Sequence, residues 1–432
     1  MTKRVLLPLH AVQLAFMLWI AFGAVYCCDA DYYVRTGQAL LREGLAYGDD
    51  FAGYRSYFVP LVLGLLHAIP APAMPASGQS LPFTLSVAFT LVSFAASVHI
   101  VRREGVARYL TFAIPTLFNP FLIAQVPIPM QESVLMLFVV PILVVLLAVR
   151  QRTPYATLAL ATLAASVAFI VRGSMGWLAL PLALFVILEM RRAPESWRAA
   201  SRARLAALAL AIPLILVAPQ SLVMQQKLGT LDPYPTRRDF VLLQAYFGVS
   251  MFKTTTMLRE GKWTQLRVLS PFDWLPREEK MTFSFYREHR GPAILLVLGH
   301  VWAGLHYEVL TTYVRFEQLH IVNPWIVLSS FIVAYGLIGL VQGFRGAERS
   351  RAVLLAATFA LSCLYTAFVG VEARFGLFGF LAVSAATAQL AASREGRALM
   401  RSSFPLACAY VVLCVVFNTA LLYATPDIRL QP

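Results

Sequence analysis

Eleven apolar runs, each about 20 residues long, leave this chain few choices of architecture, because that is the length a helix needs to cross a bilayer. They fall at 5–27, 81–101, 109–127, 132–149, 154–171, 174–190, 205–225, 324–344, 352–370, 375–393 and 404–424. In lipid every backbone N–H and C=O must be satisfied by the protein, and a helix does this along its own length. Composition agrees: 59% of the residues are hydrophobic and only 13% charged, far from the balance of a soluble globular protein. The chain reads as an all-α polytopic membrane protein, one transmembrane domain over 1–432 with about 11 transmembrane helices (range about 10–13).

Basic residues cluster at alternate ends of these runs. They are Lys3-Arg4, Arg102-Arg103 with Arg108, Arg150 with Arg152, Arg191-Arg192 through Arg204, Arg345 with Arg349 and Arg351, and Arg394 through Arg401. Such ends face the cytoplasm by the positive-inside bias. Residues 28–80 and 226–323 are then outer loops, the larger one standing before the last four helices, and the turns near 128–131, 172–173 and 371–374 lie on the same face. The net charge of +14 is accounted for by this topology, so no nucleic-acid partner is expected. The N-terminal run is long enough to span and lacks a convincing cleavage site, which makes it a retained first helix. The five cysteines give neither a disulfide framework nor a zinc spacing and read as small hydrophobes.

Two apolar stretches, Tyr57 to Pro70 and Pro292 to Leu305, are short for a span and read as interfacial or re-entrant helices, with short true spans as the alternative. Between Asp31 and Gly44, the spacing of Tyr33, Gly37, Leu40, Leu41 and Gly44 puts one apolar stripe on a helix, with Arg35, Gln38 and Arg42 opposite. That pattern suits a helix lying on the membrane surface.

The same topology gathers the polar residues. Asp29 and Asp31 follow the first run, Glu132 opens the fourth, Arg172 closes the fifth, and Glu372 and Arg374 lie between the ninth and tenth, all at the outer face. Each has an ordinary explanation. One of the aspartates could cap the surface helix, Glu132 could be a first-turn acid, Arg172 could snorkel to headgroups, and Glu372 could pair with Arg374. Tyr54, Arg55, Tyr57, His289 and Arg290 sit where aromatic and basic residues anchor helices at an interface. Together, however, the set holds carboxylates able to take a proton from a hydroxyl and arginines able to hold a phosphate.

Five stretches carry a resemblance to a known family. They are Asp29-Ala-Asp-Tyr-Tyr33 with Gln38-Ala-Leu-Leu-Arg-Glu-Gly44, Tyr54-Arg-Ser-Tyr-Phe-Val-Pro-Leu61, Asn119-Pro-Phe-Leu-Ile-Ala-Gln125 through Glu132-Ser133, Val171-Arg-Gly-Ser174, and Val371-Glu-Ala-Arg-Phe375. In order and in common side they resemble the GT-C superfamily of membrane glycosyltransferases, which use polyprenyl-phosphate-linked sugars. The second acidic position is Glu132 here, where relatives often carry Asp.

The resemblance implies an inverting transfer of a sugar from a polyprenyl-phosphate donor to a hydroxyl of a cell-envelope glycan, lipid or protein, at the periplasmic face of a bacterial inner membrane. It makes a first-loop aspartate the base, and Asp29 fits the spacing to Tyr33 and Gly44 better than Asp31. Arg172 and Arg374 would hold the donor phosphate. Glu132 and Asp31 would position acceptor or water, or ligate a divalent cation (Mg or Mn) if one is used. Tyr33, Tyr54, Arg55, Glu372, His289 and Arg290 are further site candidates, and the stretch from Tyr57 to Pro70 is a candidate wall for the prenyl tail. A transporter or flippase of lipid-linked glycans, or a polysaccharide polymerase, is the alternative.

Overall fold

Once folded, the apolar runs become helices wherever proline and asparagine allow it. The computed structural model describes residues 2–44, 55–150, 153–192, 202–282, 284–307, 310–311, 313–315, 324–345, 348–369 and 372–424. Among these, nine helices are long and apolar enough to cross a membrane, and a tenth is counted if a helix pair bent by 58° near residue 403 forms one span. The protein is therefore a predominantly α-helical, polytopic integral membrane protein. The chain divides into two compact units, Met1–Arg237 with Glu348–Leu354, and Arg238–Ala347 with Leu355–Pro432.

The first unit contains α1 (Thr2–Gly23), α2 (Asp29–Glu43), α3 (Phe58–His67), α4 (Leu81–Glu104), α5 (Gln131–Ala148), α6 (Pro154–Val171), α7 (Ala179–Arg192) and α8 (Arg202–Leu228). The expected span at 109–127 is corrected: it is not one helix. A π-helical turn at Tyr109–Ala113 precedes Pro115, helix resumes to Leu117, and Asn119 is extended before Pro120. Proline removes a backbone donor and pushes the residue before it out of helical geometry, which accounts for the break at Asn119. The Asn119 side chain caps the next turn by accepting from Phe121 N–H at 3.0 Å. The broken segment still runs the length of α5. Arg108 reaches carbonyls at the C-terminal end of α5, and Met130 meets Ser133 at its N-terminal end.

Helix α2 is amphipathic, as its stripe requires, and buries Ala30, Tyr33, Val34, Gly37 and Leu40. It packs on α3 backbone to backbone. A Cβ on Gly37 would lie 2.4 Å from the Pro60 carbonyl oxygen, and one on Gly64 would lie 2.7 Å from that of Gly37. Small residues at a helix crossing permit this approach where a larger side chain would hold the helices apart. Cys27 and Cys28, just before α2, form a vicinal disulfide, which corrects the reading of this pair as plain hydrophobes.

The second unit contains α9 (Arg237–Ser250), β1 (Met251–Arg259), β2 (Lys262–Leu269), α10 (Arg290–Leu305), β3 (Tyr313–Arg315), α11 (Pro324–Gly343), α12 (Arg349–Ala367, whose first residues belong to the first unit), α13 (Leu377–Ala392), α14 (Arg394–Ser402) and α15 (Phe404–Ala424). The three strands form a sheet in the order β2-β1-β3, so the all-α expectation is corrected in this segment. β1 and β2 are antiparallel and β3 is parallel to β1. Glu260 and Gly261, with φ of 50° and 76°, make the tight turn between β1 and β2. Val249, Phe252, Val268, Phe272, Phe285 and Leu296 form the core beneath this hairpin.

Candidate functional site

Asp29 is the first residue of α2 and Asp31 the third, so both acids lie in the first turn, the favourable end of the helix dipole. Neither caps the helix. The cap position is Cys28, without a side-chain hydrogen bond, which corrects the expectation that one aspartate would serve there. Asp29 instead accepts from Arg55 Nη2 at 2.6 Å. Arg55 also lies over the rings of Tyr32 and Tyr33, at 4.3 and 5.5 Å from their centroids, so two aromatic faces contact the cation of the ion pair. The Asp29 side chain remains 42% exposed. Asp31 is exposed at its own position, and partial burial holds its carboxyl above the usual range despite the opposing charge of Arg35.

Glu132 lies in the first turn of α5 and is buried. Its Oε1 is 3.5 Å from Arg172 Nη1. Arg172 ends α6 in an extended conformation, its N–H still bonded to Ala168 O at 3.0 Å, and its carbonyl receives Met175 N–H at 2.7 Å. Beside this pair, Gln131 donates to Val171 O at 3.2 Å and ties the start of α5 to the end of α6. Two arginine–carboxylate pairs thus stand near one fully buried phenol, that of Tyr33. Burial pushes the Tyr33 hydroxyl far up; Arg55 and Arg172 pull it down while Asp29 and Glu132 push it further up, so all four charges reach it. Tyr33 is a neutral hydrogen-bond group at any ordinary pH.

Two residues that the sequence reading passed over build the frame of this site. Gln220, fully buried on α8, accepts from Tyr57 N–H at 2.9 Å and donates to Arg55 O at 3.2 Å and to Pro233 O at 3.0 Å. One amide therefore clamps both the Arg55 segment and the 233–234 turn. Tyr234 places its hydroxyl 2.9 Å from the carbonyls of Phe169 and Ile170, at the end of α6. Its ring lies where a Cβ on Gly173 would come within 2.9 Å, so the turn carrying Arg172 is packed directly on Tyr234. The available signal was a lone amide inside an apolar span, at Pro219-Gln220.

Glu372 and Arg374 pair with each other at 2.5 Å in the second unit. His289 precedes α10 and packs between Phe272 and Phe285, with ring centroids at 5.7 and 5.1 Å, while Arg290 is exposed at the helix start. Tyr54 lies outside the described residues. Among the described residues no group of three or more His, Cys, Asp or Glu side chains has the arrangement to hold a metal ion.

An apolar cavity of about 1040 Å³ opens between α6, α7 and α8. None of residues 57–70 lines it. Of the sequence-derived set, the fold pairs Asp29 with Arg55 and Glu132 with Arg172 in the first unit, both pairs within electrostatic reach of Tyr33. No protein-family model matches the chain and no curated protein is significantly similar to it, so its likeness to a known family stands on the sequence motifs alone.

Proposed function

We propose that the chain is a GT-C-type glycosyltransferase that moves a sugar from a polyprenyl-phosphate donor to a hydroxyl acceptor, in a bacterial inner membrane with its site on the periplasmic side. The observation that supports this most is the meeting of two arginine–carboxylate pairs, Asp29 with Arg55 and Glu132 with Arg172, about the buried Tyr33. Asp29 is the base. It is reachable from solvent, and it takes the proton of the acceptor hydroxyl as that oxygen attacks the anomeric carbon. The bond from that carbon to the phosphate oxygen breaks on the opposite side, the configuration inverts, and polyprenyl phosphate leaves with the bonding electrons.

Arg172 and Arg55 receive the charge that develops on this phosphate, in bonds that strengthen as the leaving group forms. Each guanidinium faces a carboxylate in the free protein, so the phosphate takes over a place that an anion already occupies. Glu132, at the start of α5, then orients the acceptor side.

The test is sugar transfer by the purified protein in liposomes supplied with a radiolabelled polyprenyl-phosphate sugar and an envelope extract as acceptor. Asp29→Asn is expected to lose transfer by at least about 100-fold, the scale of a general base, while inserting and folding normally. Full activity in that variant removes Asp29 from the role. Movement of the labelled lipid across the bilayer without any transfer would favour a flippase.

A further inference from the structure

The bond between Cys27 and Cys28 has no part in the chemistry described above, and it does not act as structural disulfides usually do. A disulfide stabilises chiefly by closing a loop of the unfolded chain, and the effect grows with the loop. Neighbouring residues enclose no chain between them, so this bond removes little freedom from the unfolded state. Its effect is local. It ties together the side chains on either side of one peptide bond, between α1 and the first residue of α2.

The backbone at that point has an unusual form. Cys28, the cap residue of α2, has φ of 58° and ψ of −113°, a region that suits glycine and disfavours a residue with a side chain. The first bonds of the helix start here: Cys27 O accepts from Ala30 N–H and Cys28 O from Tyr32 N–H, both at 3.0 Å. Asp29 follows directly, and its carboxylate accepts from Arg55 at 2.6 Å. While the ring is closed Cys28 keeps this backbone. Once the thiols are free, the ordinary preference for negative φ acts on Cys28 and turns the peptide that leads into Asp29. The two cysteines also differ in access. Cys27 is 5% exposed, whereas Cys28 is an exposed residue, so an incoming thiolate meets Cys28 first. Exposed disulfides are the ones that exchange readily.

We propose that Cys27–Cys28 is a redox-active site, opened at Cys28 by a dithiol protein on the outer face, and that its opening releases the first turn of α2 and with it Asp29. The side of the membrane and the effect on sugar transfer rest on the glycosyl-transfer reading; the exchange itself does not. A thiolate of the dithiol reductant attacks Cys28 Sγ, the bond to Cys27 breaks, and the Cys27 sulfur leaves as a thiolate that takes up a proton. The reductant's second thiolate then attacks its own sulfur in the mixed disulfide and displaces Cys28, which is protonated in turn. Two electrons and two protons have passed to the cysteine pair, and the reductant is left as its disulfide.

The experiment incubates the full-length protein in nanodiscs with buffers of stepped dithiothreitol redox ratio, followed by alkylation and mapping by mass spectrometry. Cys363, Cys408 and Cys414 are free thiols and serve as internal controls. Cys27 and Cys28 should resist alkylation in the oxidised buffers and be labelled together in the reduced ones, where phenylarsine oxide, which bridges paired thiols, should block both. A dithiol oxidoreductase whose second cysteine is replaced by serine should be trapped on Cys28. Opening should raise amide exchange over residues 29–33 by about tenfold and lower transfer by about 10- to 100-fold, the scale of a misplaced catalytic group. Cys27→Ser with Cys28→Ser should hold the low transfer rate in every buffer, and the wild-type map and exchange decide the matter even if that variant folds poorly. Four results would each overturn the proposal: alkylation of both cysteines without reductant, a bond that stays closed in the most reducing buffer, trapping on Cys27, or opening that leaves exchange over residues 29–33 unchanged. Opening with faster exchange in a protein that transfers no sugar in either state keeps the redox site and removes the enzyme reading, whereas transfer that is equal in both states removes the control of Asp29.

Discussion

Helix α5 has arginines and carboxylates at both ends, and the two ends use them differently. At its C-terminal end Arg108 donates to Ala148 O at 3.0 Å and to Leu147 O at 3.2 Å, and Arg351 donates to Leu147 O at 2.6 Å and to Val149 O at 3.2 Å. These are carbonyls that a helix leaves without intrahelical partners, and cations are favoured there by the dipole. Glu348 then gathers Arg108, Arg150 and Arg351. At the N-terminal end Arg172 faces Glu132 at 3.5 Å, with the Asp29–Arg55 pair nearby. A guanidinium bonded to helix carbonyls cannot be lent to a ligand without opening the helix end. One that faces a carboxylate can exchange it for a phosphate. The C-terminal cluster thus reads as structure and the N-terminal one as a site.

The comparison is broken most easily at Arg351. Replacing it by leucine removes two hydrogen bonds from a buried cation, the one to Val149 O and one of the two to Leu147 O, together with one of the three cations around Glu348, and about 3–5 kcal/mol of stability should be lost at about 1.5–3 kcal/mol per charged hydrogen bond. Thermal unfolding in detergent measures this, and transfer per folded molecule should be unchanged. A variant as stable as the wild type would mean that the C-terminal cluster is no more committed than the other.

Glu348 gives a smaller effect with a definite sign. Burial alone would raise its carboxyl, but hydrogen bonds from Arg150 and Arg108 and the charge of Arg351 outweigh that and hold it below the ordinary value of 4.5. A carboxyl depressed in the folded state contributes stability that is complete above that pH and is lost as pH falls through the folded value. The difference in unfolding temperature between wild type and Glu348→Gln should therefore be constant from neutral pH to about 5 and close below 4.5. A gap that does not narrow at all between about pH 5 and pH 3 would show that the charge of Glu348 is not what binds the cluster.

This contrast between the ends was only half legible beforehand. The spans could be read because about 20 apolar residues in lipid admit few structures, and Asp29, Glu132 and Arg172 could be read because loop charges sort them to one face. In the sequence Arg108, Arg150 and Arg351 are simply basic residues beside apolar runs. Their true partners, Glu348 and the carbonyls of Leu147, Ala148 and Val149 at the end of α5, are up to 240 positions away and leave no local pattern. Gln220 was missed for a related reason: one amide in an apolar run looks incidental until its three backbone partners are in place. The β-hairpin is another matter. Its signal, the threonine-rich Met251–Arg259 and then Glu260-Gly261, is local, but it sits in a loop read for topology and not for strands. The 109–127 run shows the opposite failure, since hydrophobicity marked a crossing but not the Asn119-Pro120 break within it.

Gln220→Leu sharpens the comparison from the N-terminal side. It leaves three backbone groups without their amide partner, and about 1–3 kcal/mol of stability should be lost. Because the same amide fixes Arg55 and the 233–234 turn behind Arg172, transfer should fall more than folding does. Gln220→Glu, which keeps the acceptor for Tyr57 N–H but loses the donor to Arg55 O and Pro233 O, should fall between wild type and leucine. Equal activity in all three would reduce Gln220 to packing.

The smallest change in stability is expected where the largest change in activity is expected, at Asp29. Its pair with Arg55 is short, at 2.6 Å, but the carboxylate is 42% exposed, and exposed pairs contribute about 0–1 kcal/mol. Asparagine keeps an oxygen to accept from Arg55 while losing the charge and the ability to take a proton. Asp29→Asn should thus unfold within about 1 kcal/mol of the wild type, and added salt should narrow even that difference by screening. Set beside Arg351→Leu, this is a crossed pattern: one arginine–carboxylate cluster whose loss unfolds the protein without touching chemistry, another whose loss ends chemistry without unfolding it. If Asp29→Asn proved as destabilising as Arg351→Leu, the N-terminal pairs would be structural too, and Arg55 and Arg172 would not be available to a phosphate.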